Sequence, residues 1–116
     1  MPIRLEDLAT TDFSDVATGQ VLALVRPGDV LLHEFMEPLG LSANALATAL
    51  HVPANRITAI VAGQRGITAD TALRLARYFG MSPEFWINLQ SQFDLALASR
   101  QSGSRILQEV AVRAAG

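Results

Sequence analysis

The 116-residue chain is half hydrophobic, only 17% charged, and carries a formal net charge of −2 at pH 7. That composition suits one compact domain with a real core and excludes a disordered chain. The chain has no cysteine, which excludes disulfides, thiolate metal sites and cysteine nucleophiles. No apolar run approaches the roughly 18 residues that span a membrane.

The first residues show no basic-then-apolar signal pattern, so a cytoplasmic protein is expected. Residues 1–25 read as an N-terminal arm: Asp, Thr, Ser and Gly are spread through 7–19, and the apolar run Val21-Leu22-Ala23-Leu24-Val25 suits an edge strand or an extended segment against the body. Arg26-Pro27-Gly28-Asp29 opens a helix that Gly40 stops near Leu39, with Val30, Leu31, Phe35 and Met36 as its apolar stripe. Ser42 caps the next helix, in which Leu46 and Leu50 face inward. After the break at His51-Val52-Pro53, Pro53 suits the first turn of a short helix carrying Ile57 and Ile60, ended by Gly63. Thr68 caps a fourth helix with Asp70 in its first turn and Ala72, Leu75, Ala76 and Phe79 as its buried row. Ser82-Pro83-Glu84 starts a fifth, with Phe85, Trp86, Leu89 and Phe93 on its apolar face. Ser102-Gly103-Ser104 is expected to break the chain, leaving a short tail helix within 105–114. The expected organisation is an arm over 1–25, a helical domain over 26–99 and a tail over 100–116.

Residues 41–79 have the outline of a helix-turn-helix, in which the second helix of the pair lies in the DNA major groove. That helix offers Asn55, Arg56, Thr58, Ala59 and Ala62. Asn pairs bidentately with adenine, Arg with guanine, and Thr meets a base or a phosphate. Asn44, at the start of the preceding helix, and Arg65, just past the recognition helix, are phosphate candidates. The same spacing also suits a solvated helix in an ordinary five-helix bundle. Charge is distributed unevenly: residues 1–37 hold two arginines against seven acids, a net of −5, whereas residues 38–83 hold four arginines against Asp70, a net of +3. Positive charge is thus local to the region where phosphate contacts would need it. The acidic first 37 residues could dock a basic partner or simply be a solvated face. Arg74 and Arg77 lie three apart on one helical face, toward DNA, an acidic partner or solvent.

Other chemistry finds little support. His33-Glu34-Phe35-Met36-Glu37 has Glu where a helical zinc site needs its second histidine, so these residues read as an outer helix face. Two histidines, no cysteine and no glycine-rich phosphate loop leave no nucleophile–base pair, so no catalytic residue, cofactor or metal is expected. The Trp86, Leu89 and Phe93 stripe suits either the core or a dimer interface.

Several phrases resemble the HigA (VapI-like) antitoxins of the Xre-type helix-turn-helix family. Arg26-Pro-Gly-Asp-Val-Leu-Leu-His-Glu-Phe is similar to the family's opening helix, and Glu37-Pro-Leu-Gly-Leu-Ser to its first turn. Val52-Pro-Ala-Asn-Arg-Ile resembles its entry into the recognition helix. Arg65-Gly-Ile-Thr-Ala-Asp-Thr-Ala-Leu-Arg-Leu-Ala-Arg-Tyr-Phe-Gly and Ser82-Pro-Glu-Phe-Trp-Ile-Asn-Leu-Gln are the most specific. The resemblance covers about residues 26–97. It implies an all-α, five-helix, lambda-repressor-like DNA-binding domain with a short N-terminal arm and a C-terminal tail helix. It further implies a homodimer that binds double-stranded operator DNA, represses its own operon and neutralises a HigB-type mRNA endonuclease toxin. On this resemblance Asn55, Arg56 and Thr58 read bases, and Asn44, Gln64 and Arg65 hold phosphates. The chain departs from the family at His51, where a turn glycine is usual, at Ala59 and Ala62, where polar residues are frequent, and at Gln64, where Lys is. These departures leave open a toxin-capping module that has lost operator binding. A stand-alone regulator is a third reading.

Overall fold

The computed structural model describes residues 24–114, and over these the chain is all-helical with five helices. Residues 21–23 of the apolar run expected over 21–25 lie outside the described residues; Leu24 and Val25 are in neither helix nor strand, and Val25 packs against the core.

Helix α1 spans residues 27–39 and is not uniform. Pro27–Val30 is α-helical, Leu31–Met36 winds in the wider π register, and Glu37–Leu39 returns to α. Pro38 supplies the reason. A proline inside a helix has no N–H to give and its ring collides with the carbonyl one turn back, and a wider turn relieves both. The backbone N–H of Glu37 accordingly donates to Leu32 O, five residues back. Gly40, at φ 63°, ends the helix in the left-handed conformation that glycine adopts without a Cβ clash.

Helix α2 is Ala43–Leu50, and the Ser42 hydroxyl accepts the Ala45 N–H at 3.1 Å. Its C-cap is His51, left-handed at φ 58°, the lone non-glycine residue with positive φ among the described residues. Helix α3 is Ala54–Val61; Pro53 holds the extended N-cap position rather than the first turn. Helix α4 is Ala69–Phe79, capped by Thr68. Helix α5 runs from Pro83 to Glu109, capped by Ser82.

The expected break at Ser102-Gly103-Ser104 does not occur, and residues 105–109 continue α5 instead of forming a tail helix of their own. A mid-helix glycine costs about 1 kcal/mol relative to alanine, too little to stop a helix with good formers on both sides. At roughly 1.5 Å per residue α5 is about 40 Å long, which explains the elongated 54 × 29 × 26 Å envelope.

Leu31, Leu46, Ile57, Ile60, Leu75 and Trp86 are fully buried and draw one residue or more from each helix. Phe35 sits at the centre of an aromatic cluster, with ring centroids 4.8 Å from Trp86 and 5.0 Å from Phe79. Phe85 meets Trp86 edge-on at 5.0 Å. Offset and edge-on pairs of this kind add to the burial of the rings themselves. α2 packs on α3, α4 on α5, and the start of α1 on α3. That last approach depends on Gly28: a Cβ there would collide with the Ile60 carbonyl oxygen.

Candidate nucleic-acid interface

α3 buries Ile57 and Ile60 against the body, which leaves Asn55, Thr58 and Ala62 on its outer face. These three are spaced by three and four residues and so form one line along the helix. Thr58 Oγ1 donates to the Asn55 carbonyl at 3.3 Å. The helix starts abruptly because His51 reverses the chain in the left-handed region and Pro53 holds an extended φ/ψ. Asn44, in the first turn of α2, is exposed. Gln64 and Arg65 are also exposed, in the loop after α3, where both backbone N–H groups turn back to Ala59 O. Arg65 has no acidic side chain within ion-pair distance among the described residues. The structure therefore presents Asn44, Asn55, Thr58, Gln64 and Arg65 to solvent.

Arg56 is placed differently. Its side chain is only 22% exposed, and Nη1 donates to Asp70 Oδ2 at 2.7 Å. Its Nε is buried with no partner among the described residues. Arg74 reaches the same carboxylate oxygen through Nε at 2.9 Å, and its Nη1 donates to the Leu50 carbonyl at 2.9 Å. Asp70 thus joins α3 to α4, and Arg74 joins both to the last residue of α2. Hydrogen bonds from Arg74 first, and Arg56 second, hold the Asp70 carboxyl below the usual carboxylate range. In sequence, Asp70 and Arg74 form a visible i,i+4 pair; nothing local marks the link to Arg56, fourteen residues earlier.

The three residues read as a dimer stripe also separate. Trp86 is fully buried and Leu89 nearly so, and both belong to the core of a single chain. Only Phe93 is half-buried, with the Arg26 guanidinium 5.9 Å from its ring centroid. The outward apolar residues of α5 are Leu95, Ile106 and Leu107. His33 Nδ1 pairs with Glu37 Oε1 at 2.9 Å on the outer face of α1. No helix among the described residues is long and apolar enough to cross a membrane.

The model of a family described as helix-turn-helix matches residues 32–86. Virulence-associated protein I of Dichelobacter nodosus is 54% identical over 80 residues, which cover 69% of this chain and 74% of that protein. An addiction-module antidote protein of the HigA family from Coxiella burnetii superposes with a TM-score of 0.75 at 48% identity, covering 79% of this chain and all of that one. The antitoxin HigA of Pseudomonas aeruginosa, solved with the higBA promoter, does so with a TM-score of 0.75 at 45% identity, covering 77% of this chain and 97% of that one.

Proposed function

Because the chain belongs to the HigA (VapI-like) antitoxins of the helix-turn-helix family, we propose that it is a DNA-binding antitoxin that represses its own operon and neutralises a HigB-type toxin. It is a binding protein and not an enzyme, and it acts in the cytoplasm, where its operator and its toxin are both found. The carrying observation is the outward line of Asn55, Thr58 and Ala62 on the second helix of the α2–α3 pair. Asn55 and Thr58 meet base edges, because residues at the start of a recognition helix enter the major groove most deeply. Asn44, Gln64 and Arg65 flank that line and hold phosphates, which positions the helix without reading sequence. The higBA promoter bound to the Pseudomonas aeruginosa relative supports the same use of the fold.

The protein acts as a homodimer, with two recognition helices about 34 Å apart on a palindromic site. The contacts come from the second half of α5, not from Trp86 and Leu89. Leu95 and Ile106 are eleven residues apart, about three helical turns, and therefore lie on one exposed line.

The test is fluorescence-anisotropy binding of the purified protein to its own upstream DNA, titrated with salt. Preference for that DNA over random duplex, with a steep salt slope, is the expected result. Equal binding to both would favour a second reading, a toxin-capping module without operator recognition. Ala62 on the outward line and half-buried Ala59 beside it favour that reading, since neither side chain can hydrogen-bond a base.

A further inference from the structure

The Arg56–Asp70–Arg74 cluster is the most tightly built polar feature next to the recognition helix, and the assignments above leave it without a role. One carboxylate oxygen accepts from two guanidiniums, at 2.7 Å and 2.9 Å, and the second of these also donates to the last carbonyl of α2. That carbonyl belongs to a helix end, where backbone acceptors lack partners within the helix. The cluster therefore ties α2, α3 and α4 together at the turn that sets the entry angle of α3.

It also disposes of two positive charges. Arg56 lies on the helix that faces DNA and Arg74 on the helix beside it, and a free guanidinium there is a strong phosphate ligand. Phosphate contacts bring affinity without sequence information. A carboxylate that holds both guanidiniums lowers the affinity for any duplex and leaves recognition to the uncharged Asn55 and Thr58. The geometry of Arg56 agrees: its side chain is mostly covered and turned toward α4 instead of out along the line of Asn55 and Thr58.

We propose that Asp70 is a specificity-setting positioning residue, which clamps Arg56 and Arg74 away from the phosphate backbone and fixes the recognition helix on α2 and α4. The proposal rests on the DNA-binding reading given above. It removes Arg56 from the base-reading set and assigns it to the support of α3.

The test compares wild type with Asp70→Asn, which keeps the shape and removes the charge. Both are titrated with salt on the upstream DNA and on a random duplex. Each released guanidinium that reaches a phosphate steepens the slope of log K against log salt by about 0.9. Asp70→Asn should therefore steepen the random-duplex slope by about 1–2, bind random duplex about tenfold or more tighter at low salt, and lower the ratio of specific to non-specific affinity. Adding Arg56→Met to Asp70→Asn should take back about one unit of that slope. Unchanged slopes would overturn the proposal. So would a parallel loss of specific and non-specific binding with a lower melting temperature, which is the mark of a purely structural contact. Arg56→Met alone that relaxes preference at a single base pair would restore Arg56 as a base reader and also overturn it. A wild-type protein that does not prefer its upstream DNA would instead refute the operator reading. The random-duplex slopes would still decide whether Asp70 withholds the two arginines.

Discussion

Replacing Trp86 with alanine separates a core residue from an interface residue. Trp86 is fully buried within one chain, with Phe35 at 4.8 Å and Phe85 at 5.0 Å between ring centroids. Emptying such a site costs about 3–5 kcal/mol in lost transfer energy and cavity formation. One feature works the other way: the indole Nε1 is buried without a hydrogen-bond partner among the described residues, and removing an unsatisfied donor returns about 1 kcal/mol. The net loss is then about 2–4 kcal/mol, and at about 4–8 °C per kcal/mol for a domain near this size the melting temperature should fall by about 8 °C or more. The assay is a circular-dichroism melt at two protein concentrations a hundredfold apart, with sedimentation equilibrium on the same samples. A core role lowers the melting temperature by a similar amount at both concentrations. A melting temperature within about 3 °C of wild type would refute the reasoning. A drop confined to the dilute sample, with the mass falling to that of a monomer, would refute it too.

Ile106→Asp should do the opposite, lowering the mass from dimer to monomer while sparing the fold; an unchanged dimer would remove the end of α5 from the interface. Gly28→Ala places a methyl group against the Ile60 carbonyl oxygen, so α1 must shift at a cost of about 1–3 kcal/mol or more; a wild-type urea midpoint would contradict that. His51→Gly relieves a left-handed backbone that costs a non-glycine residue about 1–2 kcal/mol, partly offset by the freer unfolded chain, and should raise the melting temperature by a few degrees, whereas a fall would show that the imidazole makes a compensating contact. The hydrogen bond and charge of Glu37 raise the His33 pKa. A raised folded-state value contributes stability that is complete below the ordinary histidine range and disappears as pH rises through the raised value. His33→Gln should therefore flatten the dependence of the urea midpoint on pH across that window, and equal slopes for both proteins would exclude the pair as the cause.

The helix starts at Ser42, Thr68 and Ser82 and the stops at Gly40 and Gly63 were legible in the sequence, and the family resemblance marked His51 as a turn position where glycine is usual. All of these depend on a hydroxyl accepting an N–H two or three residues on, or on whether a residue tolerates positive φ, and such preferences act over a few residues. The polar outer face of α3 was legible for the same reason, since helical period alone separates Ile57 and Ile60 from Asn55 and Thr58. One local signal misled. Gly103 did not stop α5, because a mid-helix glycine costs less than the surrounding helix returns. Pro38 lies inside α1, as its expected end near Leu39 requires, but the π register it imposes was not foreseen.

The rest was decided by segments distant in sequence. Gly28 meets Ile60 across 32 residues and Arg56 meets Asp70 across 14, and neither contact leaves a trace in local propensity. The apolar face of α5 shows the limit most clearly. Periodicity set Trp86, Leu89 and Phe93 on one stripe, but whether a stripe meets its own chain or another depends on what the other helices bring to it. Phe35 and Phe79 pack against the core at the first part of α5, whereas among the described residues Leu95 and Ile106 remain exposed. Burial depends on how all five helices pack together, so only the tertiary structure could divide that helix into a half that builds the core and a half that remains exposed.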